Sequence, residues 1–152
     1  MMNRRDAETQ SFKSLTERVI GACIEIHRQL GPGLLESAYE ECLCYELSRL
    51  GISLVRQVAL PVHYKSVRLD CGYRLDLVVA KRIILELKAV ESLMPIHEAQ
   101  MLTYLRLSRL TLGLLLNFNI PVLKDGIKRV ANHFIDSSAS LRLCGSPKEF
   151  RL

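Results

Sequence analysis

Apolar residues recur at helical spacing in the first third of the chain. Between residues 11 and 30 this spacing predicts a helix whose buried side carries Leu15, Val19, Ala22, Ile26 and Leu30. Gly31-Pro32-Gly33 then ends the pattern, because proline cannot continue a helix and glycine readily adopts the left-handed conformation that closes one. A second helix is predicted from about residue 34 to residue 50, ending at Gly51.

The middle of the chain has the shorter apolar runs that are typical of strands. Residues 52–64 predict a strand interrupted by Pro61, and residues 67–80 predict one long strand, or two with a bulge near Gly72. Residues 82–90 predict a third strand that is apolar on both faces, as a central strand should be.

A helix and a fourth strand follow before the chain becomes polar. Pro95 suits the first position of a helix that we expect to reach about residue 107, and residues 110–118 predict a strongly apolar strand. Residues 124–127 predict a hairpin turn before a short last strand. This order predicts an α/β (α+β) fold with a mixed central sheet of about four strands flanked by helices, plus a small C-terminal hairpin. We expect a single domain over residues 1–152, with its core at about 12–135 and a loosely ordered polar tail at 136–152.

Charged residues interrupt two of the predicted strands. Asp76 and Glu86-Leu87-Lys88 lie within the run GYRLDLVVAKRIILELKAV. A buried charge costs several kcal/mol unless it is paired or binds a metal. Glu86 and Lys88 are two residues apart and face the same side of a strand, and a short turn brings Asp76 alongside. Two carboxylates and an ammonium suit a hard divalent cation with an activated water, so metal-assisted hydrolysis is the leading hypothesis.

The alternative interpretation of Asp76, Glu86 and Lys88 is an ordinary ion-pair network. A D…E-x-K pattern by itself occurs in many chains by chance. Here the residues before each carboxylate are almost all apolar, and charge enters only where the strands should end. This placement favours the functional interpretation.

Glu36 and a pair of residues on the later helix are further candidates. Glu36 shares a helical face with Leu43 and Leu47, which directs it toward the sheet. A favourable interaction with the helix dipole explains a first-turn glutamate equally well. Gln100 and Tyr104 share one face of the next helix, where they can either contact phosphate oxygens or simply pack and bond to backbone.

The charge balance tilts mildly toward polyanionic partners. Formal net charge is +5, and Lys124, Lys128 and Arg129 near the last hairpin form either a phosphate-facing rim or no more than a solvated face. Aromatic residues make up only 6% of the chain and Trp is absent. This scarcity argues against base stacking as the main mode of strand recognition.

Cysteine usage and the N-terminal segment predict a cytoplasmic protein. The five cysteines include no C-x-x-C pair, so we expect reduced thiols. The first ten residues are polar and no apolar run is long enough to span a bilayer, so we expect no membrane association. The chain also lacks G-x-S-x-G, P-loop, dinucleotide-binding and H-E-x-x-H motifs, which leaves serine hydrolase, NTPase, Rossmann oxidoreductase and zincin activities unsupported.

Several motifs, taken in order, resemble those of a known family. Residues 33–39, GLLESAY, fit the pattern of the GxxExxY proteins, which are grouped with the PD-(D/E)XK nuclease superfamily. The resemblance extends from about residue 15 to residue 132. It includes GYRLD, ELK, the Q-x-x-x-Y of residues 100–104, GLLLNF and KDGIKR. Several ordered motifs are far more specific than any one of them.

The resemblance implies a restriction-endonuclease-like core of helix, three strands, helix and strand. It implies that Asp76 and Glu86 bind Mg²⁺ or Mn²⁺ with help from the carbonyl of Leu87. It also implies that Lys88 positions or activates the water, and that Glu36 is the acidic residue such nucleases often carry on their first core helix. Residues 100 and 104 match a Q-x-x-x-Y element of the superfamily.

We therefore expect a metal-dependent, nuclease-like phosphodiesterase that acts on DNA or RNA. Lys88, Glu86 and Asp76 are the expected catalytic residues. The alternative is a non-catalytic module that retains the nuclease fold and binds nucleic acid or a protein. The intact set of charges favours the enzyme, and the small size favours a homodimer or a protein partner.

Overall fold

The structure, a computed structural model, describes residues 3–133 as three helices and seven strands. The helices are α1 (Arg4–Leu30), α2 (Glu36–Arg49) and α3 (Pro95–Ser108). The strands are β1 (Leu54–Ala59), β2 (Val62–Tyr64), β3 (Val67–Leu69), β4 (Arg74–Val79), β5 (Ile83–Lys88), β6 (Leu112–Asn117) and β7 (Ile127–Ala131). The polar tail expected at 136–152 lies outside the described residues.

The central sheet has five strands in the order β1-β4-β5-β6-β7. Every neighbouring pair is antiparallel except β5 and β6, which run parallel because α3 connects them. This mixed sheet between helices confirms the predicted fold class. The expected C-terminal hairpin is part of the main sheet: a 3₁₀ turn (Leu123–Gly126) leads into β7, which pairs with β6 as a fifth strand.

The first helix is longer than its apolar pattern predicts. It begins at Arg4, where the side chain of Asn3 accepts a hydrogen bond from the Asp6 backbone N–H at 2.9 Å. The spacing of apolar residues predicts only the part of α1 that packs on the core. It does not predict the first turns, because these are exposed. None of the helices within residues 3–133 is long and apolar enough to cross a membrane.

Each face of the sheet has its own hydrophobic core. Helices α1 and α2 cover one face, where Leu43 packs with Leu85 and Phe118. Helix α3 covers the other, where Met101 and neighbouring side chains pack on Ile84, Leu115 and Val130. Gly113 of β6 lets α3 approach, because a Cβ there would collide with the side chain of Met101. The central strand β5 is consequently buried on both sides, so a charged residue in it requires an explanation.

Strands β2 and β3 form a separate two-stranded sheet, the β2–β3 arm (residues 62–69). The predicted interruptions at Pro61 and near Gly72 mark its two ends, and Gly72 has a φ of 76° that favours glycine. The base of the arm is held by a 2.9 Å hydrogen bond from the Leu60 N–H to the Tyr73 carbonyl. The arm therefore leaves the sheet immediately before Asp76.

Candidate metal centre

Strands β4 and β5, which carry the predicted carboxylates, separate from each other at the position of those carboxylates. Pairing between β4 and β5 covers only Leu77↔Leu85, Val78↔Ile84 and Val79↔Ile83. Beyond this point β4 remains paired with β1 as far as Arg74, and β5 remains paired with β6 as far as Lys88. A gap thus opens inside the sheet, and backbone groups along it need other partners.

Asp76 and Glu86 supply those partners with their side chains. The Asp76 N–H donates to Glu86 Oε1 at 3.0 Å, and the Leu87 N–H donates to Asp76 Oδ2 at 2.9 Å. Each carboxylate is therefore oriented by the opposite strand, which leaves Asp76 Oδ1 and Glu86 Oε2 as the oxygens that can take another ligand. The Leu87 carbonyl lies on the same side of β5 as its N–H and also faces the gap.

Burial and mutual repulsion work against ionisation of this pair. Glu86 is only 6% exposed, and burial raises its pKa to about 8, with the charge of Asp76 adding to the effect. The Asp76 N–H and Lys88 counteract part of that rise. Burial is also the main cause of a raised pKa at Asp76, opposed chiefly by the Leu87 N–H. Two adjacent acids are thus held where negative charge is costly.

Lys88 lies close to both carboxylates without neutralising either. Its charge lowers the pKa of Asp76 and of Glu86, and its side chain is half-buried. Within residues 3–133, however, no ion pair joins it to either carboxylate at 4.0 Å or less. The three residues are therefore assembled differently from the ordinary ion-pair network that is the alternative interpretation of the sequence.

Glu36 reaches the same end of β5 from the first turn of α2. The Ala89 N–H donates to Glu36 Oε1 at 3.1 Å, one residue beyond Lys88. The side chain remains exposed, yet its charge contributes to the raised pKa of both Asp76 and Glu86. The structure thus brings the carboxylate of Glu36 to the end of β5 while most of the side chain stays in solvent.

Tyr39 holds the turn that presents Glu36. It is fully buried, its hydroxyl donates to the Gly31 carbonyl at 2.6 Å, and it accepts from the Leu34 N–H at 3.2 Å. Its ring stacks on Phe118 with centroids 4.3 Å apart. Sequence reasoning passed over this tyrosine, although it is the last letter of the GLLESAY motif.

Glu40 is a buried carboxylate beside the site that sequence reasoning did not assign. Arg56 Nη2 lies 2.8 Å from its Oε2, and Gln57 Nε2 donates to its Oε1 at 2.7 Å. Gln57 has a φ of 50°, and this left-handed conformation lets two consecutive strand residues reach one acceptor. Glu40 also raises the pKa of Asp76. Its position one turn after Glu36 was a usable signal, but nothing in the sequence indicates its two partners.

Helix α3 directs Tyr104 toward the carboxylates. Burial is the main cause of the raised pKa of Tyr104, and the charges of Glu86 and Asp76 contribute. Its ring centroid lies 6.4 Å from that of Tyr73, which precedes β4. Gln100, one turn earlier on α3, is exposed. The structure therefore brings Tyr104 to the site and leaves Gln100 on the neighbouring surface.

The basic residues of β7 do not form one surface. Lys128 Nζ lies 2.7 Å from Glu98 of α3. Arg129 is the next residue along the strand and so points to the opposite face of the sheet. Strand alternation therefore places Lys128 and Arg129 on opposite faces of β7, so a phosphate-facing rim formed by both residues would extend around this edge strand. Lys124 lies on the exposed 3₁₀ turn.

Asn117 fixes the chain that follows Lys88. It is 1% exposed, its Oδ1 accepts from the Val90 N–H at 3.1 Å, and its Nδ2 donates to the Val90 carbonyl at 3.0 Å. The Phe118 N–H donates to the Lys88 carbonyl at 2.9 Å. The end of β5 is thus held on its β6 side and open on its β4 side.

The oxygen donors of the gap fit a hard divalent cation. Carboxylates and a backbone carbonyl are ligands that Mg²⁺ and Mn²⁺ accept. Within residues 3–133, no group of three or more His, Cys, Asp and Glu side chains is already arranged around one point. The core of the candidate site is therefore a pair of carboxylates, with the carbonyl of Leu87 beside them.

The chain belongs to the PD-(D/E)XK nuclease superfamily, whose family model matches residues 13–130. No curated protein and no solved structure gives a match. The match includes the gap and its charged residues, and nucleases of this superfamily generally use divalent metals. Membership supports a nuclease-like function with a nucleic acid as substrate.

Proposed function

We propose that this protein is a Mg²⁺- or Mn²⁺-dependent phosphodiesterase that cleaves DNA or RNA, and that it belongs to the GxxExxY branch of its superfamily. The observation that carries the proposal is the acid pair in the gap. Glu86 is buried and Asp76 is half-buried, both are oriented by backbone N–H groups, and Lys88 makes no direct ion pair with either. A fold gains no stability from such a pair unless a cation joins it.

The proposed ligands are the two outward oxygens of the pair and one carbonyl. Asp76 Oδ1 and Glu86 Oε2 are the carboxylate oxygens that no backbone N–H occupies, and the carbonyl of Leu87 lies on the side of β5 next to the gap. A divalent cation bound here supplies positive charge at the scissile phosphate and lowers the pKa of water. Glu36 approaches from α2 and adds a further carboxylate at the end of β5. These donors are all oxygen, which favours Mg²⁺ or Mn²⁺ over zinc.

Lys88 is proposed to act on the attacking water and on the phosphate. It shares a strand face with Glu86 and is half-buried, so its ammonium lies beside the pair with donors that no carboxylate has taken. It can orient the water through one hydrogen bond and stabilise the negative charge that grows in the transition state. A direct ion pair with Glu86 would have weakened both roles.

The substrate is proposed to lie along α3. The charges of Glu86 and Asp76 act on the Tyr104 phenol, whose hydroxyl suits a phosphate oxygen, and Gln100 and Lys128 extend the same side of the sheet. Arg129 lies on the other face, so any contact it makes is with a more distant part of the nucleic acid. We also propose that the chain acts in the cytoplasm as a single domain, as a homodimer or with a protein partner.

Calorimetric titration with Mn²⁺ tests the ligand assignment. We expect the parent to bind Mn²⁺, and we expect Asp76→Ala and Glu86→Ala to abolish binding while they retain a cooperative thermal transition. Glu36→Gln should weaken binding to a smaller extent. Glu91→Ala is the matched control, because this exposed carboxylate lies just past β5 and should leave Mn²⁺ affinity unchanged. Unaltered affinity in both Ala variants would refute the site.

Incubation with labelled DNA and RNA in the presence of Mn²⁺ tests the activity. Cleavage by the parent that is lost in Glu86→Ala supports the enzyme. Binding of nucleic acid and of Mn²⁺ without cleavage would instead indicate the non-catalytic module.

A further inference from the structure

The β2–β3 arm presents an apolar face to solvent. Strand alternation places Tyr64 and Val67 on one side of the arm together with Val62 and Leu69, because Tyr64 pairs with Val67 and Val62 with Leu69. Tyr64 is 61% exposed and Val67 is 51% exposed. An exposed apolar face on a two-stranded sheet is not expected of a structural element, since two strands alone are marginally stable.

Positive charge lies around the arm, although Arg68, which pairs with His63, points to the face opposite Tyr64 and Val67. Lys65 lies at the turn, Arg68 on β3 and Arg74 at the base, against the single carboxylate of Asp70. Lys65 Nζ lies 5.5 Å from the centroid of the Tyr64 ring, so a cation and an aromatic ring are presented together. A surface that combines exposed rings with cations suits a polyanion that also has flat apolar faces.

The arm leads directly to the acid pair. Its base is the Leu60–Tyr73 hydrogen bond, and Asp76 follows within β4. Tyr73 is 48% exposed and its ring lies beside Tyr104, which in turn faces Glu86. Three of the five tyrosines of the chain therefore lie on the arm or between the arm and the carboxylates. The low aromatic content argued against base stacking, but most of the tyrosine rings lie on the path from the arm to the carboxylates, where they could stack on the bases of a bound strand.

We propose that the β2–β3 arm binds a single polynucleotide strand and directs it to the carboxylates in the gap. This inference rests on the proposed function. Tyr64 and Tyr73 stack on unpaired bases, Lys65 contacts the adjacent phosphate, and Arg68 contacts a phosphate that passes the other face of the arm. Stacking of this kind requires unpaired bases, because the faces of bases in a duplex are already covered by their neighbours. The charge of the arm favours a polyanion over an apolar protein partner.

The first test measures binding without catalysis. Affinity for a fluorescently labelled single-stranded 20-mer, in DNA and RNA versions, is measured by anisotropy in EDTA so that no cleavage occurs. Tyr64→Ala should raise Kd about tenfold, the effect expected for the loss of one stacked base. Tyr45→Ala is the matched control, since Tyr45 on α2 is 62% exposed and also has a cation, Arg49, over its ring. The control should leave Kd unchanged.

The second test measures the charge contribution. Single-strand affinity falls with salt with a slope of about −0.7 for each phosphate neutralised. Removing Lys65 and Arg68 together by Ala substitution should therefore reduce the slope by about 1.4. Arg5→Ala/Lys13→Ala on the exposed start of α1 is the control with the same loss of charge, and it should leave the slope within about 0.3 of the parent.

The outcomes separate this inference from the proposed function. Strand binding that depends on Tyr64, in a protein that never cleaves, supports the arm and refutes the enzyme. Cleavage by the parent with equal Kd in Tyr64→Ala and Tyr45→Ala supports the enzyme and overturns the arm. An equal loss of affinity for duplex and single strand in Tyr64→Ala would also overturn it. The inference would also be overturned if the parent protein bound no single-stranded nucleic acid. It would be overturned as well if substitutions in the arm changed only self-association, measured by sedimentation.

Discussion

Two buried glutamates near this site are almost equally shielded from solvent but have different hydrogen-bond and ion-pair partners. Glu40 and Glu86 are 8% and 6% exposed, and both lie near Asp76. Arg56 and Gln57 donate to Glu40 at 2.8 and 2.7 Å, so both of its oxygens are bonded and a cation, shared with Glu41, lies beside it. Glu86 receives one backbone N–H and faces another carboxylate.

Hydrogen-bond and ion-pair partners, rather than burial, therefore distinguish a structural acid such as Glu40 from a candidate metal ligand such as Glu86. Glu40 ties α2 to β1 and so gives α2 a fixed place beside the gap. Within the described part of the chain, Glu86 has no cation bonded to its carboxylate, and its pKa is raised because burial and the nearby charge of Asp76 are not fully compensated. If the comparison is sound, substitutions around Glu40 will act on folding, and substitutions around Glu86 will act on metal binding and catalysis.

The largest effect is expected from Lys88→Met. This change keeps much of the apolar stem and removes a charge that acts mainly in the transition state, so the cleavage rate with Mn²⁺ should fall by about 10²- to 10⁴-fold. Because Lys88 makes no direct ion pair with the acids, the free energy of unfolding should change by less than about 1 kcal/mol. Single-turnover cleavage and urea unfolding measure the two quantities. A large loss of stability with an unchanged rate would place Lys88 with the structural charges.

The pH dependence of stability should come next in size. The pKa of Glu86 rises from 4.5 to about 8 on folding, so between these values the folded protein holds a proton that the unfolded chain has released. Metal-free stability should therefore fall as pH rises from about 4.5 to 8, by on the order of a few kcal/mol. Glu86→Gln should remove most of this slope and make the metal-free protein more stable than the parent at pH 8.

Urea unfolding at several pH values, with and without Mn²⁺, measures this effect. Saturating Mn²⁺ should reverse the slope for the parent, because the metal competes with the proton for the same oxygens. Identical slopes for the parent and Glu86→Gln would mean that Glu86 ionises normally in the fold.

Arg56→Met tests whether Glu40 has a structural role. It leaves the buried Glu40 carboxylate with only Gln57, so the free energy of unfolding should fall by about 2 kcal/mol. Adding Glu40→Gln should recover much of that loss, since the unmatched charge is then gone. Equilibrium unfolding of the single and double variants gives the coupling. If Arg56→Met instead abolishes Mn²⁺ binding at full stability, Glu40 belongs with the functional acids.

The smallest effect is expected from Tyr39→Phe. The ring and its stacking on Phe118 remain, while the hydroxyl bonds to Gly31 and Leu34 are lost. Stability should fall by about 1 kcal/mol. Mn²⁺ affinity should fall slightly as well, because the turn that presents Glu36 is loosened. Tyr45→Phe, which alters an exposed tyrosine, serves as the control in thermal unfolding and calorimetry.

The sequence predicts those features of the site in which a charged residue interrupts an apolar segment or follows a turn. Asp76, Glu86 and Lys88 interrupt strongly apolar strands, and Glu36 follows a Gly-Pro-Gly turn on the core side of a helix. These patterns predicted the strands, the helices and the fold class. They also predicted a sheet of about four strands, where the structure adds β7 as a fifth.

Features that depend on one unusual backbone conformation or on distant contacts were not predictable. The positive φ of Gln57 is what brings Arg56 and Gln57 to Glu40, and a glutamine gives no sign of it. Asn117 lies 27 residues from Val90 in sequence and binds both of its backbone groups. Which of Lys128 and Arg129 faces α3 depends on the register of β7, a strand that the sequence indicated only as part of a hairpin.

The hydrogen bonds inside the gap give the protein two built-in spectroscopic reporters. The amides of Asp76 and Leu87 donate to carboxylate oxygens, whereas most strand amides donate to carbonyls. An amide bonded to a carboxylate changes its magnetic environment when that acid gains a proton or a cation, while amides deeper in the β4–β5 ladder do not. In a nitrogen–proton correlation spectrum these two resonances would follow the charge state of the site residue by residue, in the intact protein and without any label at the metal itself.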